Sequence, residues 1–411
     1  MTAIGPIAIV GGGLAGGVAV RTLRQEGYDG PLLVITNEPG VPFGRPPLSK
    51  TYLRGEEDLT GWLVEPAEWY EHNKVEILHA TAIRVDVAGH RLELDTGGEV
   101  GYAKLLVATG GRNRRFAELG ADLEGVYQLR TVAECDALKH AAHPAARALV
   151  VGMGFIGCEV AASLRTLGLE VTAVFPGAAP LESVLGTEVG KVMTALHADH
   201  GVTLIAGDSV SRFEGAARVE RAATGNGRTL ECDLAVVAVG IQPNVELLLD
   251  AGIAVENGVL VDGGCRTSAP DIFAAGDVAN HLHPLFGRVR VEHYNNAEKQ
   301  GAAAARSMLG SDADYAYLHT FWSDQYDDKI EYAGHARRWD DLVVRGSMEE
   351  RKFIGFYLAD GYLRAAVGLN RGGDPELDAE GEMAKAARLI ARRVRPRASD
   401  LAREDVDLGA L

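Results

Sequence analysis

The chain has 411 residues, 47% of them hydrophobic, and a formal net charge of −16 with a pI near 5.2. That length suggests about two to four domains, and so acidic a surface is a poor match for nucleic acid. No apolar run reaches the roughly 18 residues that span a membrane, and the N-terminus carries no basic n-region, so no membrane anchor or signal peptide is expected and the protein is assigned to the cytoplasm.

The first element is the apolar run Ile7–Val10, followed at once by Gly11-Gly12-Gly13-Leu14-Ala15-Gly16. This reads strand, tight turn, helix. The first glycine permits the turn, the second lets the backbone approach a pyrophosphate, and the third lets helix pack on strand. A helix over residues 17–26 ends at Gly27, and Leu32–Ile35 is the next strand. Glu38 follows 22 residues after Gly16, a distance that suits the ribose hydroxyls of an adenosine. The alternative is a solvated loop carboxylate.

The string Arg45-Pro46-Pro47-Leu48-Ser49-Lys50 reads as rigid extended backbone, because consecutive prolines fix φ. Alternating strands are expected at 84–87 and 91–94, with a break at Gly97-Gly98. Leu105-Leu106-Val107-Ala108-Thr109-Gly110 is a buried strand that ends in a small-residue turn.

A second strand–turn–helix begins at Ala148-Leu149-Val150-Val151 and continues as Gly152-Met153-Gly154-Phe155-Ile156-Gly157, 141 residues after the first copy. Two such turns imply two dinucleotides, and hence electron transfer between them. The unit's second strand, Val171–Val174, runs into Phe175, and Leu234–Val239 is a buried strand that ends at Gly240. Residues 271–277 form a short strand closed by a Gly-Asp turn, and Asn295–Leu309 reads as a helix. From about Thr320, alternation at 353–358 and 362–367 points to a smaller antiparallel domain. The Arg-rich stretch from Lys385 to Arg397 reads as a solvated helix face.

Four cysteines, Cys135, Cys158, Cys232 and Cys265, include no closely spaced pair, which argues against a disulfide framework and a redox-active disulfide. No metal is expected, since no His or Cys group has a ligand spacing. His281 and His283 read as ordinary surface residues of a loop.

Taken in order and spacing, these motifs, with Ala275-Gly276-Asp277 and Phe321-Trp322-Ser323-Asp324-Gln325, resemble the FAD- and NAD(P)H-dependent ferredoxin reductases of bacterial oxygenase systems. The Arg-Pro-Pro-Leu-Ser-Lys string is the most specific marker. The resemblance implies an α/β fold of the glutathione reductase type: two Rossmann-like dinucleotide-binding domains plus a smaller α+β C-terminal domain. It implies a discontinuous FAD-binding domain at 1–112 and 242–319, an NAD(P)H-binding domain at 113–241, and a C-terminal domain at 320–411. The activity implied is transfer of a hydride from NADH (or NADPH) to FAD, then of single electrons to a [2Fe–2S] ferredoxin that serves a cytochrome mono-oxygenase or a Rieske-type oxygenase. An NAD(P)H oxidase and a flavoprotein like apoptosis-inducing factor are the alternatives. A disulfide reductase on the same scaffold would need a cysteine near the flavin, and none precedes Cys135.

Residue by residue, the resemblance places Gly11, Gly13, Leu14, Ala15 and Gly16 on the FAD pyrophosphate and Glu38 on its ribose. It places Arg45, Thr109, Gly110, Arg130, Gly276, Asp277 and Val278 along the FAD, with Asp277 on the ribityl chain. Glu292, His293 and Tyr294 are grouped with the FAD-binding residues and approach the nicotinamide pocket. Lys50, Glu159 and Trp322 are assigned to the redox centre: the cation favours electron density on a reduced ring, the carboxylate balances it, and the indole covers the ring. Gly152, Gly154, Phe155, Ile156, Gly157, Glu159, Phe175 and Gly240 are the NAD(P)H residues. One position departs from the pattern. Phe175 stands where an acidic residue would accept the ribose hydroxyls of NADH. Either the acceptor is missing or Glu182 reaches back to supply it. No cation follows until Lys191, so NADH is preferred.

Overall fold

The computed structural model describes residues 5–411, so part of the N-terminus read above for a basic n-region lies outside the described residues. The chain divides into two compact units. Unit 1 comprises residues 1–46, 59–112 and 241–319; unit 2 comprises 47–58, 113–240 and 320–411.

Unit 1 is built on a five-stranded sheet in the order Ile272–Ala274, Lys104–Val107, Ile7–Val10, Leu32–Thr36, Val75–His79. All its pairings are parallel. Both faces are covered, which is why the central strand is an unbroken apolar run with every residue buried. Ile7 and Ile9 face a layer formed with Val20, Leu23, Ala304 and Met308 of the helices Leu14–Gln25 and Tyr294–Met308. Ala8 and Val10 face the other way, where Val85 and Leu92 of a three-stranded antiparallel sheet close the core. The strands expected at 84–87 and 91–94 are observed at Ala82–Asp86 and Arg91–Leu94, joined in that small sheet.

Unit 2 contains a second five-stranded parallel sheet, ordered Thr203–Ala206, Glu170–Phe175, Arg147–Val151, Leu234–Val237, Val126–Tyr127. Its C-terminal part is a five-stranded antiparallel sheet, ordered Thr320–Gln325, Asp328–Gly334, Tyr362–Leu369, Lys352–Ala359, Asp341–Ser347. The helix Glu382–Ala391 lays its buried residues Met383, Ala386, Leu389 and Ile390 inward.

Three local readings of the sequence need correction. Residues Pro46–Ser49 form a 3₁₀ turn, not extended chain, because the fixed proline φ suits that turn as well as an extended one. His281 and His283 lie on the strand Ala279–His283 and are each 1% exposed, so they are not surface loop residues. They sit in a ring cluster with His319, Tyr315 and Phe286, and such aromatic packing favours burial of the rings. The basic helix stops at Ala391, and Arg393 adopts a left-handed φ of 55°, so four of the five arginines of that stretch, Arg392, Arg393, Arg395 and Arg397, lie beyond the helix.

Candidate active site

Unit 1 carries the first glycine turn at the C-terminal end of Ile7–Val10. Gly11 has φ of 124°, and a Cβ there would stand 2.1 Å from the Ala108 carbonyl oxygen. A Cβ on Gly16 would be equally close to the Gly11 oxygen, so the helix is drawn tightly onto the strand. Gly13 is the exception: its φ of −83° is ordinary, and a Cβ would meet nothing within 4 Å. The open side of the turn is therefore at the residue that must let a phosphate approach. Gly13 caps the helix Leu14–Gln25 without a side-chain hydrogen bond, and the first helical turn holds no acid, which suits an anion on the free N–H groups.

Other expected residues also lie in unit 1. A Cβ on Gly276 would approach the Ala15 Cβ to 2.9 Å, which brings the Gly276-Asp277 turn beside the glycine helix. Gln300 Oε1 accepts from the Gly276 N–H at 2.9 Å and fixes that turn. Glu38 is gripped by both terminal nitrogens of Arg45, so these two residues form one paired group. Thr109 and Asn244 clasp each other through Thr109 Oγ1 to the Asn244 oxygen at 2.7 Å and Asn244 Nδ2 to the Thr109 oxygen at 2.9 Å. Gly110, at φ 64°, turns the chain beside that clasp. The Tyr294 ring lies against Gly44 and edge-on to Trp62, with ring centroids 6.0 Å apart. Glu292 pairs with Arg290 at 2.7 Å, and His293 is the N-cap of the helix Tyr294–Met308. Val278 is fully buried.

Unit 2 repeats the glycine geometry. Gly152 has φ of 95°, with a Cβ position 2.4 Å from the Ala238 oxygen, and a Gly157 Cβ would stand 2.0 Å from the Gly152 oxygen. Gly154 again faces open space and caps a helix, Phe155–Thr166, that has no side-chain cap and no acid in its first turn. Ile156 is exposed at that helix start, Phe155 packs edge-on against Phe321, and Gly240 turns at φ 95°. Phe175 is 3% exposed, so its side chain belongs to the core. Both turns fit the group they would hold: a dinucleotide's phosphates need this combination of an open second glycine and uncapped helix N–H groups.

Glu159 stands in the second turn of the Phe155–Thr166 helix and is 4% exposed, which rules out a solvated helix carboxylate. Three groups of unit 2 satisfy it. Lys50 Nζ lies 3.1 Å from its Oε1, Ser323 Oγ donates to the same oxygen at 2.6 Å, and Ser49 Oγ donates to Oε2 at 2.5 Å. Lys50 is itself 9% exposed and lies 6.0 Å from the centre of the Trp322 ring. A buried charge is tolerated when paired and hydrogen-bonded, and here both conditions hold.

The network continues beyond the residues that sequence singled out. Gln325 Nε2 donates to Ser323 Oγ at 3.2 Å, and Gln325 Oε1 stands 3.1 Å from His197 Nε2. His197 Nδ1 is 3.1 Å from the Tyr326 hydroxyl, and the Tyr326 ring stacks on His200 at 3.6 Å. Burial lowers the His197 pKa to about 4, so the ring is neutral near pH 7. Ser49 and Ser323 adjoin Lys50 and Trp322 within the two most specific motifs, and that adjacency was the available sequence signal. Gln325 shares the second motif, whereas nothing local marked His197.

Arg130 directly precedes a capping box in which Thr131 and Glu134 close the start of the helix Val132–Ala141. Arg371 is committed to Glu382 at 2.8 Å and Glu404 at 3.1 Å, which leaves it poorly placed as a docking cation. Arg393 and Arg395 lie over Tyr362 at 5.7 and 4.1 Å and point into solvent. All four cysteines are buried and free, and burial pushes Cys135, Cys232 and Cys265 up to about 12 and Cys158 well above its usual range. Among the described residues no group of three His, Cys, Asp or Glu could hold a metal, and no helix is long and apolar enough to cross a membrane.

Residues 5–301 match the family described as pyridine nucleotide-disulphide oxidoreductase, and residues 320–411 match the reductase C-terminal family. The chain is 38% identical to the anthranilate 1,2-dioxygenase system ferredoxin–NAD(+) reductase component of Burkholderia cepacia, over 98% of each chain. It is 35% identical to rhodocoxin reductase of Rhodococcus erythropolis, over 85% of this chain and 83% of that one. Among solved structures, the ferredoxin reductase for the CYP199A2 system from Rhodopseudomonas palustris matches at a TM-score of 0.93 and 32% identity, over 98% of this chain and 99% of that one. The covalent putidaredoxin reductase–putidaredoxin complex matches at 0.93 and 28%, over 99% and 98%.

Proposed function

This chain belongs to the pyridine nucleotide-disulphide oxidoreductase family, and from that premise we propose that it is the FAD-dependent NADH:ferredoxin reductase of an oxygenase system. The observation that carries the reading is the pair of open glycine turns, one in each unit, with Gly13 and Gly154 facing free space. FAD, when bound, supplies the conversion of a two-electron hydride donor into single electrons. The residues divide the remaining work. Gly11–Gly16, Glu38, Arg45 and the Gly276-Asp277 turn would hold FAD, and Gly152–Gly157 would hold the nicotinamide dinucleotide. Lys50 is a buried cation that Glu159, with Ser49 and Ser323, holds in place, and a fixed positive charge of this kind would favour electron density on a reduced ring. The Trp322 ring stands 6.0 Å from the Lys50 ammonium, within reach of a cation–π contact.

The partner is a small [2Fe–2S] ferredoxin, and through it a haem or Rieske-type oxygenase. The chain's net charge of −16 opposes docking of an acidic ferredoxin, so a local basic surface is required. The exposed arginines Arg337, Arg338, Arg393 and Arg395 are the candidates. A thiol relay is disfavoured by four buried, protonated cysteines. We place the protein in the cytoplasm. The test is NADH-dependent reduction of a purified bacterial [2Fe–2S] ferredoxin by the FAD-loaded protein. Oxidation of NADH with oxygen as the sole effective acceptor would instead identify an oxidase.

A further inference from the structure

Phe175 ends the strand Glu170–Phe175 inside the core, where a strand-end acid would accept the ribose hydroxyls of a dinucleotide. From there the chain loops through residues 176–180 and returns to the glycine turn: the Leu181 N–H donates to the Met153 oxygen at 2.9 Å. The next residue is Glu182, which is half-buried. Its Oε2 accepts from the Ala178 N–H at 2.7 Å and lies 3.1 Å from the position of a Cβ on Gly177. The Thr187 hydroxyl donates to Oε1 at 2.8 Å. The carboxylate is thus folded back over the first residues after Phe175, beside the turn that carries Gly154. The Thr187 hydroxyl and the Ala178 N–H hold it below the usual carboxylate range, so it is charged at neutral pH.

The other acid at this strand end is not available. The Asp208 N–H donates to the Phe175 oxygen at 3.2 Å, but the Asp208 side chain is 2% exposed and its Oδ1 is taken by the Ser209 and Asn226 N–H groups. Two cations of unit 2 have acidic neighbours. Lys191 pairs with Glu188 at 3.5 Å, and Arg228 is directed at Asp208 at 3.9 Å.

We infer that Glu182 replaces the missing strand-end acid as the residue that selects the nucleotide, accepting the adenosine ribose hydroxyls of NADH and repelling the 2′-phosphate of NADPH. The inference rests on the assignment of a nicotinamide dinucleotide to the Gly152–Gly157 turn. It differs from the usual arrangement in that the carboxylate arrives from the start of the next helix, seven positions after Phe175.

The experiment is calorimetric titration of the FAD-loaded, full-length protein with ADP-ribose and with 2′-phospho-ADP-ribose, which needs no turnover. Glu182→Gln keeps the shape and an acceptor for Ala178 but loses the charge. It should weaken ADP-ribose roughly tenfold while leaving the phosphorylated probe unchanged or tighter. Glu182→Arg should invert the preference, and an unchanged flavin spectrum and Tm in each variant establish that the fold is intact. Equal weakening of both probes, or no change in their ratio, would overturn the inference while leaving the reductase reading in place. If the wild-type protein bound neither probe, both would fail together.

Discussion

Replacing Glu159 by Gln removes the counter-charge of an ammonium that is 9% exposed. Breaking one side of a buried ion pair costs about 3 to 5 kcal/mol, because the remaining charge loses its compensation but stays desolvated. For a unit of this size that lowers Tm by about 6 to 20 °C. Lys50→Met leaves the opposite orphan, a carboxylate that retains the donors Ser49 and Ser323, and should fall at the lower end of that range. The double variant Lys50→Met/Glu159→Gln contains no unpaired charge, so it should be more stable than the Glu159→Gln single variant. Thermal denaturation of the FAD-saturated proteins, read as a double-mutant cycle, gives the coupling directly. Single variants that lose stability additively in the double would refute the reasoning, since they would mean that the pair is screened by water and contributes as an exposed pair does. Both single variants should also slow flavin reduction by NADH, whereas the cycle isolates the charge interaction from the chemistry.

Valine at Gly154 should fold normally, because φ and space both permit a side chain, yet abolish NADH binding while bound FAD survives; Gly13→Val should instead yield flavin-free protein. The flavin spectrum and nucleotide titration of each purified variant check this. Burial holds the His197 pKa at about 4, below its ordinary 6.5, so protonation favours the unfolded chain. The contribution is intact above pH 6.5 and drains, by about 3 kcal/mol in all, as pH falls to 4. Urea midpoints measured across that window should fall less for His197→Gln than for the wild type. Arg393→Ala with Arg395→Ala should flatten the salt dependence of ferredoxin reduction and leave flavin reduction by NADH unchanged; an unaltered salt profile in stopped-flow assays would remove these residues from the docking surface.

The elements that sequence made legible are those whose signal is local. Ile7–Val10 and Ala148–Val151 are buried on both faces, so their apolar runs point to parallel strands, and the glycines that follow fix the turns. Long-range pairing was not legible. Ser323 meets Glu159 across 164 residues, and no spacing rule connects them. The two histidines on Ala279–His283 read as surface because polarity is the usual marker of exposure, yet tertiary packing supplied enough aromatic neighbours to bury them. The pairing of Arg371 with Glu382 and Glu404, 11 and 33 residues away, was likewise not legible. The return of Glu182 to the strand end depends on the left-handed Leu181 and its bond to Met153, a loop geometry that composition does not encode.

The measurement that bears most directly on the account is anaerobic stopped-flow mixing of FAD-loaded protein, first with NADH and then with an oxidised [2Fe–2S] ferredoxin. The visible flavin band should be lost on the first mixing and regained on the second, with one ferredoxin reduced for each of the two electrons delivered by NADH. A band that does not respond to NADH, or that is lost but not regained with ferredoxin, would contradict the account.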